Sequence, residues 1–213
     1  MSNDGKAKLR VATKKLEGEL PPPRMPPIAP DDMTHEQKAA AAEMMAGERG
    51  QLMGSYVPIL RSPVLMRKLQ TVGEYFRFEC ALDARLKELA SLLVARQWGQ
   101  QYVWEAHTRA GLKCGLDREV MTAVGEGRRP HRMADDERIV YDFVLELLAT
   151  RQVSDATYAE AEAALGEQGI IDVLGVVGYY TSMSMILNAT RTPPAGATTV
   201  PLPMLPEQFR VKA

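Results

Sequence analysis

This sequence of 213 residues has few of the side chains that redox, metal and nucleic-acid sites require. Its two cysteines, Cys80 and Cys114, form neither a Cys-x-x-Cys pair nor a zinc-binding pattern, which argues against a dithiol motif and against a structural metal site. The formal net charge is −1 and no long basic stripe is present, which argues against nucleic acid as the main partner. The first residues lead into charged rather than apolar sequence, so we predict no secretory signal and a cytoplasmic protein with free thiols.

The most apolar stretch, residues 169–189, is long enough to raise the question of a membrane span. It contains Asp172, three glycines and several hydroxyl and amide side chains, which are unfavourable in a lipid environment. We therefore expect no membrane partner, and we interpret this stretch as a helix buried in a bundle or at a subunit contact.

Prolines divide the chain into three parts. Residues 1–30 form a proline-rich N-terminal arm, residues 31–190 one helical domain, and residues 191–213 a proline-rich C-terminal tail. Hydrophobic residues make up 46% of the chain, enough for one sizeable core. Mobile ends are the usual expectation for such arms, although arms of this kind also lie across neighbouring subunits.

The apolar residues between the arms recur with a period of about 3.6, which predicts an all-α bundle of about six to eight helices. The helix starts are marked by capping residues. They are Thr34 with Gln37 completing a capping box, Ser62 before Pro63, Asp83, Asp117 and Ser154. Asp135 is predicted to open a further helix that runs to Thr150. Ala95-Arg-Gln-Trp98 and Thr150-Arg-Gln-Val153 end two of these helices and suggest a duplicated helical hairpin.

One histidine, His107, lies in the middle of a predicted helix. Trp104, His107 and Gly111 have the spacing i, i+3, i+7 and so share one helix face, where they could line a small-molecule pocket. The alternatives are a buried histidine satisfied by a hydrogen bond and an indole that anchors neighbouring helices. Tyr179 and Tyr180 could also reach a pocket, although adjacent residues face different ways and at most one is expected to.

Four short pieces of the sequence resemble the carboxymuconolactone decarboxylase family, within the alkylhydroperoxidase D-like superfamily. In chain order they are Ser62-Pro63, Arg85-Leu-Lys-Glu-Leu-Ala, Trp104-Glu-Ala-His107, and Leu174-Gly-Val-Val-Gly-Tyr-Tyr180 followed by Leu187-Asn188-Ala189. The resemblance implies an alkylhydroperoxidase D-like helical bundle, a homo-oligomer of three or six chains, and a role in the catabolism of aromatic compounds.

The resemblance also assigns positions in the site. His107 matches the histidine of the motif Cys-x-x-Cys-x-x-x-His found in redox members, and Glu88 falls at the position of their assisting glutamate. The two cysteine positions are occupied by Gln100 and Val103, so the dithiol peroxidase reaction is not expected. Decarboxylase-like members often carry a glutamate where this chain has Val103.

The function that follows is a cofactor-free lyase or isomerase acting on a small carboxylated ring or lactone. His107 would be the general acid and base, and Glu88 would fix its tautomer. An anionic substrate needs binding residues, for which Trp104, Arg85, Arg77 and Tyr180 are candidates, with Arg96 as a further cation. Each arginine could instead form an ion pair. No cofactor and no metal is expected.

Two alternative functions stay open at this point. One is a hydroperoxide-related, peroxiredoxin-like protein that uses a lone cysteine, either Cys114 or Cys80; Cys114 shares a helix face with His107 only if that helix extends so far. The other is an oligomer that binds a small molecule without converting it, which the absence of an acid at Val103 favours.

Overall fold

Seven α-helices and no strand lie within the residues that the computed structural model describes, namely 22–194, 196 and 200–203. The predicted all-α class is therefore confirmed. The helices are α1 (His35–Ala46), α2 (Pro63–Glu74), α3 (Ala84–Trp98), α4 (Gln101–Cys114), α5 (Arg118–Gly125), α6 (Asp135–Thr150) and α7 (Asp155–Thr190).

Side chains cap most of these helices at the predicted residues. Thr34 and Gln37 form the capping box of α1, and Asp83, Asp117 and Ser154 each accept a hydrogen bond from a backbone N–H in the first turn that follows. The predicted cap at Ser62 is wrong, because its side chain makes no capping hydrogen bond. Helix α2 still begins at Pro63, whose fixed φ suits a first helical turn.

Helix α7 consists of two helical segments that meet at Gly166. The backbone of Gly166 has φ 68° and ψ 173°, a conformation that is open only to glycine. Gly166 thus separates the segment that begins after Ser154 from the apolar stretch of residues 169–189. The predicted duplication of a helical hairpin stays a prediction; in the structure α3 packs on α4, and α6 packs on α7.

Helix α3 lies at the centre of the bundle and packs against α4, α5, α6 and α7. Leu89, Ala90 and Leu92 of this helix are completely buried, as expected for a central element. Helix α7 is long and apolar enough to cross a membrane by length and composition alone. Half of its most apolar window is buried against the rest of the bundle, which is the environment of a core helix.

Both ends of the described chain are held by hydrogen bonds to the helices. The backbone N–H of Arg24 donates to the carbonyl of Thr190 at 2.8 Å, so the N-terminal arm contacts the end of α7 of its own chain. At the other end, residues 196 and 200–203, here called the C-terminal strap, lie along α4.

Four side chains from the end of α3 and the beginning of α4 bind the C-terminal strap. The Trp104 Nε1–H donates to the carbonyl of Val200 at 2.7 Å, and the backbone N–H of Gly196 donates to Glu105 at 3.0 Å. Gln101 donates to the Leu202 carbonyl at 3.1 Å, and Arg96 donates to the carbonyls of Pro203 and Gly125 at 2.6 and 2.7 Å. The strap therefore covers the side of α4 that carries Trp104.

We predict that Trp104→Phe lowers the free energy of unfolding by about 1–3 kcal/mol, because it removes a buried hydrogen bond and leaves a small void. Trp98→Phe is the matched control, since Trp98 is 38% exposed, and should change stability by less than about 0.5 kcal/mol. Urea unfolding followed by circular dichroism measures both variants. Equal stability of the two would contradict the anchoring role of Trp104.

Candidate functional site

A tight connection between α3 and α4 brings Glu88 and His107 together. Gly99 ends α3 in the left-handed conformation, with φ 58°, and Gln100 immediately caps α4. The side-chain oxygen of Gln100 accepts hydrogen bonds from the backbone N–H groups of Tyr102 and Val103. Because the turn is this short, the two helices pack along their length and Glu88 faces His107.

The His107 Nδ1 atom lies 2.5 Å from Glu88 Oε2. The two side chains are largely buried, with exposed fractions of 11% for His107 and 16% for Glu88. A carboxylate can only accept a hydrogen bond, so the contact places the proton of a neutral imidazole on Nδ1. Among the residues that the structure describes, Nε2 has no hydrogen-bond partner, and it is left to accept or donate a proton.

His107 and Glu88 line an open cleft of about 340 Å³, here called the outer cavity. Three cationic side chains, Arg77, Lys87 and Lys113, also line it, so its charge is positive overall despite Glu88. None of the three forms an ion pair within the described part of the chain. The cleft is therefore suited to a small anion.

A π-helical turn supplies one wall of the outer cavity. It spans Tyr75–Glu79 and continues directly from α2. The extra residue per turn changes the direction of the side chains, and Phe76, Arg77 and Phe78 all reach the cavity. Single π-helical turns inside helices are frequent at functional sites.

A second, smaller space of about 90 Å³, here called the inner cavity, adjoins His107. Arg49, Tyr56, Tyr179 and Tyr180 line it, and it shares His107, Tyr180, Arg77 and Ala110 with the outer cavity. The ring of Tyr180 meets the His107 ring edge-on, with 4.4 Å between centroids. Burial, and secondarily the charge of Glu88, raise the pKa of Tyr180, so its hydroxyl is a neutral proton donor near pH 7.

The structure brings together some of the candidate residues and separates others. His107, Glu88, Arg77 and Tyr180 surround the outer cavity. Trp104 is completely buried, lines neither cavity, and belongs to the opposite side of α4. The prediction that Trp104 and His107 line one pocket is therefore not met. The Trp104 side chain contacts the C-terminal strap, and only His107 lines a cavity.

Arg85 and Arg96 also lie outside both cavities. Arg85 forms ion pairs with Asp136 at 2.7 Å and with Glu137 at 2.5 Å, which join α3 to α6. Arg96 donates to the backbone carbonyl of Pro203 in the C-terminal strap and to that of Gly125 at the end of α5. The alternative expectation of an ion pair is therefore confirmed for Arg85. Arg96 forms no ion pair with the described residues, and neither arginine lines a cavity.

Several lining residues escaped the sequence analysis. Arg49 and Tyr56 belong to the irregular segment between α1 and α2, and no periodicity or motif connects them to His107. The expectation that at most one of Tyr179 and Tyr180 reaches a pocket is wrong, because both line the inner cavity. The hydroxyl of Tyr179 lies 2.7 Å from that of Tyr56.

Helix α4 extends to Cys114, so this thiol lines the same cavity as His107. Burial, with a smaller contribution from Glu88, raises the pKa of the Cys114 thiol. Gln100, at the first cysteine position of the redox motif, caps α4 and also donates to Asn188 at 3.0 Å. Among the described residues, no group of three or more histidine, cysteine or acidic side chains could hold a metal ion.

No family model matches the sequence, and no curated protein matches it. Solved structures do match. An uncharacterized peroxidase-related protein from Ralstonia eutropha, described as an alkylhydroperoxidase AhpD core, has a TM-score of 0.67 at 14% identity, over 82% of this chain and 93% of that one. An uncharacterized peroxidase-related protein from Silicibacter sp. TM1040 has a TM-score of 0.67 at 15% identity, over 85% and 95% of the two chains.

The fold is alkylhydroperoxidase D-like. A third structure agrees: a protein of unknown function from Agrobacterium tumefaciens, described as a candidate AhpD antioxidant defence protein, has a TM-score of 0.58 at 15% identity, over 64% of this chain and 94% of that one. At these identities the likeness establishes the architecture alone. The alkylhydroperoxidase D-like fold expected from the sequence is thus confirmed, and membership of the superfamily and of the carboxymuconolactone decarboxylase family stays a prediction.

We predict that the rate at which iodoacetamide modifies Cys114 rises with pH with a midpoint above about 8.5, the pKa of an ordinary thiol, because only the thiolate reacts. Glu88→Gln removes a nearby negative charge, so the pKa of Cys114 should fall and the midpoint of the rate profile should move to lower pH. Mass spectrometry of the modified peptides measures the rates. Cys80, whose pKa is also raised by burial but not by Glu88, is the internal control and should not shift.

Proposed function

We propose that this protein is a cofactor-free acid–base enzyme that acts on a small anionic carboxylate in the outer cavity. The observation that carries this proposal is the hydrogen bond between Glu88 and His107 Nδ1, which leaves Nε2 without a partner beside a cationic cleft. The resemblance to carboxymuconolactone decarboxylases makes decarboxylation of a carboxylated lactone the reaction to test first.

In such a reaction the bond between the ring carbon and the departing carboxylate breaks, and its electron pair remains on the organic fragment as a dienolate. Carbon dioxide leaves, and a proton must then be added to carbon. His107 Nε2 supplies that proton from the imidazolium form, and the next proton from solvent restores it. Glu88 stabilises the imidazolium through Nδ1 and holds the ring in place.

Electrostatic stabilisation supplies the rest of the rate enhancement. The developing dienolate is negative, and Arg77, Lys87 and Lys113 place positive charge around the outer cavity. The Tyr180 hydroxyl has no hydrogen bond to the described residues and is kept neutral by burial, so it can donate to an oxygen of the dienolate. Acid–base catalysis alone contributes about 10²–10⁴-fold, which makes these additional terms necessary.

A hydroperoxide-related reaction is the second candidate, because Cys114 lines the same cavity as His107. Two of the similar solved structures are described as peroxidase-related, which also supports it. Against it, a raised pKa keeps Cys114 in the less reactive thiol form, and Cys80 does not line the outer cavity. A protein that binds its ligand without converting it is the remaining alternative.

We also infer a cytoplasmic homo-oligomer, as the resemblance implies. Large apolar side chains on the outer surface of α7 support an assembly, since Ile171 is 65% exposed and Met185 is 46% exposed in the single chain. Sedimentation of the purified protein gives the number of chains.

We predict that His107→Ala lowers the turnover of 4-carboxymuconolactone by at least about 10²-fold, because the proton donor is lost. Glu88→Gln should lower turnover less, since it removes the orienting charge but keeps an acceptor. Carbon dioxide release and proton NMR of the product measure the reaction. The exposed His35, the first residue of α1, provides the matched control His35→Ala, which should be fully active. Unchanged turnover in His107→Ala would contradict the proposal.

The redox candidate predicts a different result. If Cys114 were the reactive group, then the double variant Cys80→Ser, Cys114→Ser would lose consumption of tert-butyl hydroperoxide while keeping the fold. We expect no such loss, because any consumption by the wild-type protein should not depend on these protonated thiols. If the double variant lost peroxide consumption and the wild-type protein did not turn over the lactone, the redox proposal would replace the acid–base one.

A further inference from the structure

Arg49 is a cation that the proposed acid–base chemistry does not use. It follows α1 in a loop, and its side chain lines the inner cavity with the guanidinium carbon 5.6 Å from the centroid of the Tyr56 ring. Its Nε atom is removed from solvent and has no hydrogen-bond partner. Within the described part of the chain, Arg49 forms no ion pair.

The neighbours of Arg49 are also hydrogen-bond donors. The hydroxyls of Tyr56 and Tyr179 lie 2.7 Å apart, and burial raises the pKa of each, so both are neutral near pH 7. Gly73 keeps this space open. A Cβ atom at that position would overlap the Tyr179 hydroxyl and would lie 2.9 Å from Arg49 Nη2. The inner cavity therefore combines two cationic side chains, Arg49 and the shared Arg77, with tyrosine hydroxyls, and no carboxylate lines it among the described residues.

A desolvated cation gains more from an incoming anion than a hydrated one does. Arg77 and Lys113 are exposed, so water and salt screen their charges. Lys87 is half-buried, as Arg49 is, but it has no buried polar atom that lacks a partner. The Arg49 Nε atom has already lost its water and has no protein acceptor in return, a cost that an anionic ligand would offset directly. The strongest anion subsite is therefore expected in the inner cavity rather than around the outer one.

We propose that Arg49 binds a carboxylate of the substrate in the inner cavity. When Tyr56 donates to Tyr179, the Tyr179 hydroxyl keeps its proton for that carboxylate. The volume of about 90 Å³ admits a carboxylate group and leaves the ring of the substrate to the outer cavity of about 340 Å³, across His107. The assignment of a substrate carboxylate rests on the proposed function. The subsite itself is defined by Arg49 and can be tested by binding alone.

The carboxylate at Arg49 is not the one that leaves. Tight binding of the departing carboxylate would stabilise the ground state as its charge is being lost, and would oppose the reaction. Arg49 therefore holds a second, unreactive acid group while the reacting carbon lies beside His107. The substrate class that follows is a small ring with two acid groups.

The test measures the binding of benzoate and of its neutral analogue benzamide by isothermal titration. We expect wild-type protein to bind benzoate, and benzamide to bind about 10- to 100-fold more weakly, the range expected for one charged hydrogen-bonding group. Arg49→Met should weaken benzoate binding by a similar factor, and Arg49→Lys should restore part of it. Lys113→Met, which removes a cation of the outer cavity, should weaken benzoate binding less than Arg49→Met does. Lys68→Met is the matched control, because Lys68 is exposed and lines neither cavity, and it should change binding less than about 3-fold.

Two further measurements separate the subsite from the proposed function. His107→Gln should keep benzoate binding while it loses turnover, and Arg49→Met should raise the KM for the lactone more than it lowers kcat. Thermal unfolding of Arg49→Met checks that its fold is intact. Benzoate binding that survives Arg49→Met, that is absent in the wild type, or that depends more on Lys113 would overturn the subsite. Benzoate binding without turnover by the wild type would overturn only the proposed function.

Discussion

The hydrogen bond between Glu88 and His107 joins α3 to α4 at the point where both cavities meet. It can form because Gly99 turns the chain within one residue and Gln100 caps the next helix at once. Without that turn, neither the pairing of the two helices nor the position of the imidazole would be fixed. Because His107 lines both cavities, the chemistry proposed for the outer cavity and the subsite proposed for the inner one both depend on the position of its ring.

Gln100 and Val103 occupy the two positions that the resemblance assigns to the cysteines of redox members. Thiols at these positions would provide the electrons of a peroxidase. Here the Gln100 amide is committed to the helix cap and to Asn188, and Val103 packs at the wall of the inner cavity. The histidine and the glutamate remain, together with tyrosines and cations, which is a set suited to moving protons rather than electrons.

Local signals predicted the fold well and the site in part. Capping residues such as Thr34 and Asp83, and the break at Gly166, act through the backbone next to them, so their effects can be derived from the sequence. The spacing of a family motif located His107 and Glu88. Arg49 was missed because the packing of distant segments brings it to the inner cavity, and Trp104 was misplaced because helical spacing does not say which neighbour a face meets.

The C-terminal strap affects the order in which parts of the chain can pack during synthesis. Trp104 and Val200, which share a hydrogen bond, are 96 residues apart, so the indole N–H has no Val200 carbonyl to bind while the ribosome is still adding the final helix. Helix α4, which carries His107, therefore completes its packing only after Val200 has been synthesised. A product terminated before Val200 would leave the buried indole N–H of Trp104 without its acceptor.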